Sequence, residues 1–410
     1  MTQRRIPAVF YRGGTSRAIF FNAKDITEDP DERNEIFLRA IGSPDPNGRQ
    51  LDGMGGGISS LSKVAVIGPS SRPDADVDYT FGQVSVEAPL VDYAGNCGNM
   101  SSAVGHFAVD EGMVSAPEEG EATVRIHNTN TDKIIISKFR TEGGLAAVEG
   151  DYALPGVAGT GSLITLEFTD PGGATTGKLL PSGSAADSFD IEGIGKIEVS
   201  MVDATTPGVF VRASDLGLTG GERPAAIDTQ TTVMVNLEQI RAEAAVRMGI
   251  SPDRREASES SPLIPKIGIV APPAEYLDLR GAPVPAEDFD ILSRMVSMGK
   301  THRAYPLTGA MCLAVAARIP GTIPYEAATT QEGDLRLGHS SGVQTIGAVV
   351  KNSAGGPRAE KVIVYRTARR LMEGVILVSD GVLNTPPLEA ELPLLRREAT
   401  RCSSHPLRLL

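Results

Sequence analysis

The chain contains one eight-residue pattern twice, as CGNMSSAV at 97–104 and as TGAMCLAV at 308–315. In both copies a glycine precedes apolar residues at helical spacing, so each copy predicts the start of a helix. Each also follows sequence rich in strand patterns, which indicates an internal duplication. The predicted fold is therefore α+β with two similar domains, each a curved, mostly antiparallel β-sheet, or half-barrel, wrapped around a central α-helix. A chance match between two helices that enter crowded cores is the alternative.

Two domains also suit the length, because 410 residues exceed what one hydrophobic core usually serves. We expect an N-terminal domain at 1–185, with its central helix from about residue 97. The C-terminal domain is expected at 186–369, with its central helix from about residue 308. The segment from about residue 370 is expected to complete the N-terminal domain.

Local patterns predict further elements between and after the two central helices. Alternation of apolar and polar residues predicts strands joined by short turns at 76–93, 122–139 and 195–211. Apolar residues at helical spacing predict two more helices, at 237–248 and 289–298. The stretch at 182–195 is rich in Ser, Gly and Asp and is the predicted connection between the halves.

Charge and hydropathy narrow the range of partners. The formal net charge is -12 and no Lys/Arg cluster is long, which argues against nucleic acid. The densest internal basic group, formed by Arg366, Arg369 and Arg370, still allows a small anionic ligand. No window approaches the roughly 20 apolar residues of a membrane span, and no signal-peptide pattern opens the chain. We therefore expect a cytoplasmic protein without a membrane partner.

One of the three cysteines has a context that indicates chemistry. Cys97, Cys312 and Cys402 show no paired spacing, so we expect neither a disulfide framework nor a metal site. Asn96 and Cys97 lie where the first repeated helix begins, followed by Gly98 and Asn99. The N–H groups and dipole of a helix start should depress the thiol pKa and could hold a carboxylate. A buried structural cysteine is the alternative.

A glycine-rich loop ends in a lysine before a buried strand. The sequence DGMGGGISSLSK at 52–63 places Lys63 directly before the apolar run VAVI, where desolvation can lower a lysine pKa towards general-base use. Gly57 and Ser60 are candidate ligand contacts in this loop, since glycines allow close backbone approach. Ile58 replaces the last glycine of a dinucleotide fingerprint, so no nucleotide cofactor is indicated. Most lysines at strand ends are simply solvated.

Other candidate contacts come from a turn near the N-terminus and from two later polar stretches. In RGGTSR at 12–17, Arg12, Thr15 and Ser16 offer donors suited to a carboxylate, although a tight turn between strands explains the glycines equally well. Lys300 and His302 lie in GKTH, and His339 lies in GHSSG. Neither histidine has a metal-like partner at i+2 or i+4, so we interpret them as substrate contacts.

Motifs in order along nearly the whole chain resemble the 2-methylaconitate isomerase, or PrpF, family of the diaminopimelate epimerase-like superfamily. They are RGGTSR, GSPDP, LDGMGGGISSLSK, DVDYTFGQVSVE, GNCGNM, MVDATTPGVFV, PKIGIVAPP, SMGKTHRAY, RLGHSSG and RTARRLMEG. The resemblance implies two sheet-and-helix domains with the active site between them, at the start of both central helices. It also implies that Lys63 and Cys97 are the catalytic pair, because Thr308 stands where the superfamily's epimerases carry a second cysteine. Predicted donors at the second helix start are the N–H groups of Gly309 and Ala310.

The chemistry implied by the resemblance is proton transfer on a small unsaturated di- or tricarboxylic acid, without cofactor or metal. Abstraction of an allylic proton and reprotonation elsewhere would give cis-trans or double-bond isomerisation of a 2-methylaconitate or aconitate type of substrate. A 4-oxalomesaconate tautomerase is an alternative, and a non-catalytic accessory protein of an iron–sulfur dehydratase is an alternative of another class. The oligomeric state stays open, a homodimer included.

Overall fold

The structure is a computed structural model that describes residues 3–379, so Cys402 lies outside the described residues. Over these residues it contains seven α-helices. They are α1 (Pro30–Ile41), α2 (Gly98–Asp110), α3 (Pro224–Asp228), α4 (Thr231–Arg247), α5 (Arg254–Ser260), α6 (Leu307–Ala316) and α7 (Ile323–Ala327). None of these helices is both long and apolar enough to cross a membrane.

Twenty-one strands lie in the described residues, and all but β14 and β15 belong to one large curved sheet. The first nine are β1 (Gln3–Gly13), β2 (Ser16–Asn22), β3 (Lys63–Pro69), β4 (Val77–Val84), β5 (Val91–Asp92), β6 (Glu119–Asn128), β7 (Lys133–Glu142), β8 (Leu145–Ala146) and β9 (Ile164–Thr169). The others are β10 (Asp187–Ile191), β11 (Gly195–Ala204), β12 (Thr206–Arg212), β13 (Lys266–Ala271), β14 (Tyr276–Leu277), β15 (Pro283–Val284), β16 (Ile291–Ser297), β17 (Lys300–Thr301), β18 (Asp334–His339), β19 (Gly342–Ser353), β20 (Gly356–Arg366) and β21 (Ala368–Ser379).

The part of the sheet around α2 joins both ends of the described chain. β1 pairs antiparallel with β2, β2 pairs parallel with β3, and β3 pairs antiparallel with β4. β4 then pairs parallel with β6, and the antiparallel series β6, β7, β9 follows. On its other side β1 pairs with β21, from Gln3 opposite Ser379 to Gly13 opposite Ala368. The last described strand therefore lies beside the first.

The part of the sheet around α6 repeats this alternation of parallel and antiparallel pairs. β10, β11 and β12 form an antiparallel series, β12 pairs parallel with β13, and β13 pairs antiparallel with β16. β16 pairs parallel with β18, and β18 and β19 pair antiparallel. β20 pairs with β19 on one side and with β9 on the other. β20 thus joins the two parts into one sheet.

Both central helices are buried on every side. Every residue from Met100 to Val109 of α2 is buried, and so is every residue from Gly309 to Ala316 of α6. A helix with no exposed face must be surrounded by other elements, and here the surrounding element is the curved sheet. One continuous apolar core includes residues of both helices, such as Val104 and Val315.

The predicted α+β fold is confirmed. The strands predicted at 76–93, 122–139 and 195–211 are present as β4 with β5, β6 with β7, and β11 with β12, and the helices from residues 97, 237 and 308 fall on α2, α4 and α6. The helix predicted at 289–298 is wrong, because this stretch forms β16. All seven residues of β16 are buried, so its apolar pattern reflects cover on both faces of a strand and not one helical face.

The stretch predicted as a connection at 182–195 carries β10, which pairs with β11. The domain boundaries at 1–185 and 186–369, with completion from about residue 370, stay a prediction.

A buried carboxylate stabilises the junction where the two parts of the sheet meet. Glu167 of β9 accepts hydrogen bonds from Lys138 of β7 at 2.9 Å and from Lys361 of β20 at 3.0 Å. Burial acts to raise the pKa of Glu167, but the two ammonium groups outweigh it and lower that pKa. The folded state therefore favours the ionised form, and this stabilisation is lost as the pH falls through the lowered pKa.

We expect Glu167→Gln to lower the free energy of unfolding by about 1 kcal/mol at pH 7, with the two lysines half-screened by water. This loss of stability should shrink towards zero as the pH falls below the ordinary glutamate pKa of about 4.3. Urea unfolding at several pH values measures it. Glu360→Gln is the control, because its ion pair with Lys351 is exposed on the lysine side. A loss that is independent of pH would contradict the assignment.

Candidate active site

The start of α2 is the centre of the candidate site. Cys97 precedes the helix in an extended conformation, with φ -109° and ψ 98°, and is half-buried. No side chain of the described residues caps this helix start. The first intrahelical bond is donated by the N–H of Ser101 to the carbonyl of Cys97, at 2.9 Å. The N–H groups of Gly98 and Asn99 therefore have no intrahelical acceptor and suit an anion.

The turn between β1 and β2 packs directly against this helix start. The Asn99 amide Nδ2 donates to Thr15 Oγ1 at 3.1 Å and lies 3.5 Å from Ser16 Oγ. Gly14 has a left-handed φ of 52°, and a Cβ on it would lie 2.4 Å from Asn99 Oδ1. The turn and the helix start are thus one packed unit, and the role of Thr15, Ser16 and Asn99 as substrate contacts stays a prediction.

Arg12 holds this turn in place. Its guanidinium Nη1 donates to the carbonyl of Gly14 at 3.0 Å and to the carbonyl of Thr367 at 2.9 Å. Thr367 O also accepts the N–H of Gly14 at 2.9 Å. The Arg12 Nη1 group, predicted as a carboxylate donor, is therefore already used to fix the turn to the junction of β20 and β21.

Lys63 is the first residue of β3 and is buried, with 7% of its surface exposed. Its ammonium Nζ donates a short hydrogen bond to Gln83 Oε1 and lies 5.0 Å from the centroid of the Phe81 ring. The Gln83 amide Nε2 in turn donates to the carbonyl of Ser62 at 2.9 Å. Gln83 thus fixes both Lys63 and the end of the loop before it.

The glycine-rich loop before Lys63 is shaped by Gln50. The Gln50 Oε1 atom accepts the N–H of Gly57 at 2.8 Å and the hydroxyl of Ser62 at 2.7 Å. Gly57 has a φ of 72°, and a Cβ on it would lie 2.2 Å from the carbonyl oxygen of Gly48. Gly57 is therefore required by the fold of the loop itself, and Ser60 lies in a short 3-10 helix, Ser59–Leu61.

Lys63 and Cys97 lie on the same side of the sheet. Side chains alternate along a strand, so Lys63 shares a face of β3 with Ala65 and Ile67, which belong to the core around α2. Across from Ile67 lies Tyr79, whose pKa is raised chiefly by burial and further by the charge of Cys97. The face that begins with Lys63 is therefore the face on which α2 begins.

The second central helix starts beside the first. A Cβ on Gly98 would lie 2.8 Å from Leu307 Cδ2, so the first residues of α2 and α6 are in contact. The carbonyl of Thr308 accepts the hydroxyl of Thr205 at 3.0 Å. The N–H of Ala310 donates to the carbonyl of Pro306 at 2.8 Å, so this predicted donor is used within the helix. The N–H groups of Thr308 and Gly309 remain without an intrahelical acceptor. This pair lies one residue nearer the helix start than the predicted pair, Gly309 and Ala310.

Two predicted contacts, Lys300 and His339, lie on β17 and at the end of β18. Lys300 is exposed in β17, opposite Ser297. His339 is buried, and its Nδ1 accepts the N–H of Ser341 at 3.2 Å. Burial and the charge of Arg294 lower the pKa of His339 to about 4, so this imidazole is neutral at pH 7. The Ser341 hydroxyl bonds the carbonyl of Arg303 at 2.6 Å, which connects this loop to the segment before α6.

Arg366, named above only as part of the densest basic group, was missed as a candidate site residue. It is the last residue of β20, is 6% exposed, and shares a buried face with Val362 and Val364. Burial lowers the pKa of Arg366 to about 10, against the charges of Tyr152 and Cys97, which act to raise it. In the sequence KVIVYR, the alternation of apolar residues with other residues already predicts that this arginine faces the core. Gln83 was also missed.

Lys63, Arg12 and Arg366 share one electrostatic property. Each is hydrogen-bonded to neutral oxygen acceptors, and within residues 3–379 none of the three forms an ion pair with a carboxylate. In a protein with a formal charge of -12, a group of cations without carboxylate partners favours a bound anion.

Fold and site together define a class of α+β proteins in which two sheet-wrapped helices start at one cationic centre that carries a thiol. The chain belongs to the PrpF protein family, whose sequence model matches residues 3–379.

Similar proteins cover nearly the whole chain. A 3-methylitaconate isomerase of Eubacterium barkeri is 43% identical over 93% of this chain and 99% of its own length. A 2-methyl-aconitate isomerase of Shewanella oneidensis is 40% identical over 92% of this chain and 97% of its own. A (4E)-oxalomesaconate Delta-isomerase of a Novosphingobium species is 36% identical over 91% and 97%. The crystal structure of a methylitaconate-delta-isomerase has a TM-score of 0.87, with 43% identity, 94% of this chain and 99% of that chain covered.

The packing of Gly14 against Asn99 gives a test of the site's architecture. Gly14→Ala should lower the free energy of unfolding by about 2 to 4 kcal/mol, because it adds a clash to the strain of a left-handed residue. Gly143→Ala is a matched control with φ 58° and nothing within 4 Å of the added Cβ, so it carries the strain alone. Urea unfolding compares them. Equal losses in the two variants would show that the turn does not pack on α2.

Proposed function

We propose that this protein is a cofactor-independent isomerase that moves a proton on an unsaturated di- or tricarboxylic acid. The observation that carries the proposal is the near-full-length similarity to three isomerases whose names give three different unsaturated acids. The cationic centre at the two helix starts supports it, because such acids carry at least two negative charges. A cytoplasmic location and a homodimer stay predictions.

Lys63 and Cys97 are the proposed acid–base pair. One of them removes a proton from a carbon next to an activated double bond, and the negative charge spreads over the allylic system into a carboxylate. The other returns a proton to a different carbon, or to the same carbon after rotation, so no electron acceptor is required. Gln83 keeps the Lys63 amine in a fixed position, which supports proton transfer along one direction.

The helix starts have the proposed role of stabilising the negative charge that develops during the reaction. The N–H groups of Gly98 and Asn99 have no intrahelical acceptor, and they lie at the positive end of the α2 dipole. Donors that are fixed before the reaction stabilise a developing oxyanion without reorganisation. The N–H groups of Thr308 and Gly309 supply a second pair at the start of α6.

The preferred substrate is of the 2-methylaconitate or aconitate type. A second candidate is 4-oxalomesaconate, which the relative named for that acid favours at 36% identity. Both reactions need the same proton transfer, so they differ in the acid and not in the pair of residues.

Proton NMR in deuterated water tests the proposal. The purified protein is incubated, without added cofactor or metal, with cis-aconitate, trans-aconitate, 2-methylaconitate, methylitaconate and 4-oxalomesaconate. We expect deuterium to enter one acid together with double-bond migration or cis-trans exchange. A folded protein that leaves the whole panel unchanged would contradict the proposed activity and favour the accessory-protein alternative.

Variants test the assignment of the pair. Lys63→Ala and Cys97→Ser should each lower turnover by about 10² to 10⁴-fold, which is the usual effect of losing an acid or base. Cys312→Ser is the matched control. Burial raises the pKa of Cys312 to about 12, and its Sγ donates to the carbonyl of Val202, a bond that serine can also make. Full turnover in Lys63→Ala would contradict the mechanism.

A further inference from the structure

Arg366 has a position that connects both parts of the sheet to the start of α2. It ends β20, where it pairs with Ile164, the first residue of β9. The next residue, Thr367, accepts hydrogen bonds from Gly14 and Arg12 of the turn that contacts Asn99. Arg366 is therefore fixed, through one neighbouring residue, to the packed unit formed by the turn and the helix start.

The Arg366 guanidinium has few partners for a buried cation. Within residues 3–379 its single hydrogen bond joins Nη1 to the carbonyl of Tyr365 at 2.7 Å, and its Nε is buried without a partner. Within the same residues Arg294, which is 1% exposed, also donates only to carbonyls, whereas the equally buried Arg241 has a full set of partners. Arg241 binds the carboxylate of Glu238 through two nitrogens and also donates to three carbonyls.

Apart from Cys97, whose charge acts to raise the Arg366 pKa, the groups around Arg366 do not supply a counter-charge. Burial raises the pKa of the Tyr152 phenol, which is therefore uncharged at pH 7. No carboxylate in the described part of the chain forms an ion pair with Arg366. A buried cation without a carboxylate partner costs free energy in folding, and a bound anion would offset that cost.

We propose that Arg366 binds a carboxylate of the substrate, together with the N–H groups at the start of α2. This inference rests on the proposed function and adds to it the residue that positions the acid. An arginine fork suits a carboxylate because two of its N–H groups can match the two oxygens. The carboxylate is thereby held beside Cys97, so proton transfer occurs at a carbon near that carboxylate.

Isothermal titration calorimetry with propane-1,2,3-tricarboxylate tests this role. The ligand is saturated, so the protein cannot isomerise it and binding is measured without turnover. We expect Arg366→Gln to bind at least about 30-fold more weakly than the wild type, the usual result of removing one partner of a buried charged pair. Arg366→Lys keeps the charge but loses the forked guanidinium, so its affinity should lie between those of the wild type and Arg366→Gln.

Arg358→Gln is the matched control, because Arg358 lies on the same strand, β20, but is exposed. Its affinity should stay within about threefold of the wild type, as for other exposed rim charges. Thermal unfolding without ligand separates binding from a structural role. Without ligand, Arg366→Gln should unfold at the wild-type temperature or higher, since it removes an uncompensated charge. The ligand should raise the unfolding temperature of the wild type but not that of Arg366→Gln.

The outcomes separate this inference from the proposed function. Equal affinity in wild type and Arg366→Gln would overturn the role of Arg366 and leave the isomerase proposal intact. A wild type that neither binds the tricarboxylate nor changes any acid of the NMR panel would overturn both. If Arg366→Gln does not fold, Arg366→Lys decides, because unchanged affinity in that variant also overturns the proposal.

Discussion

The carbonyl oxygen of Thr367 makes the interaction on which the site depends. It accepts one hydrogen bond from the N–H of Gly14 and one from the guanidinium of Arg12. These two bonds hold the turn between β1 and β2 at the junction of β20 and β21. The same turn packs against Asn99 at the start of α2. Cys97 and Arg366 each lie next to this unit along the chain. The relative positions of thiol, arginine and helix start therefore follow from one backbone oxygen.

Much of the fold could be predicted because its strongest signals are local. The repeated pattern at residues 97 and 308 contains everything needed to begin a helix, and Cys97 is recognisable from its immediate neighbours. Residues 289–298 were misinterpreted because a strand covered on both faces has no polar side to break its apolar run. Arg366 was missed for a different reason. The alternation in KVIVYR places it on a core-facing side, but its shortage of hydrogen-bond and ion-pair partners among residues 3–379 is visible only in the folded structure.

Neutral acceptors have a common role in this site. Gln83 holds Lys63, and backbone carbonyls hold Arg12 and Arg366, so each cation is oriented without being neutralised. A carboxylate in any of these places would orient the cation equally well and would cancel its charge. The arrangement reconciles an acidic protein with the proposed anionic ligand, because these cations keep their positive charge near the start of α2.

The pairing of β1 with β21 has a consequence for how the molecule is made. The contact between Arg12 and Thr367 joins residues 355 positions apart, so it can form only after residue 367 has left the ribosome. Until then β1 has one free edge, next to the turn that positions Asn99. Contacts between such distant residues slow folding, and an unpaired edge is open to wrong partners. The sheet around α2 can therefore be completed only after β21 has been synthesised.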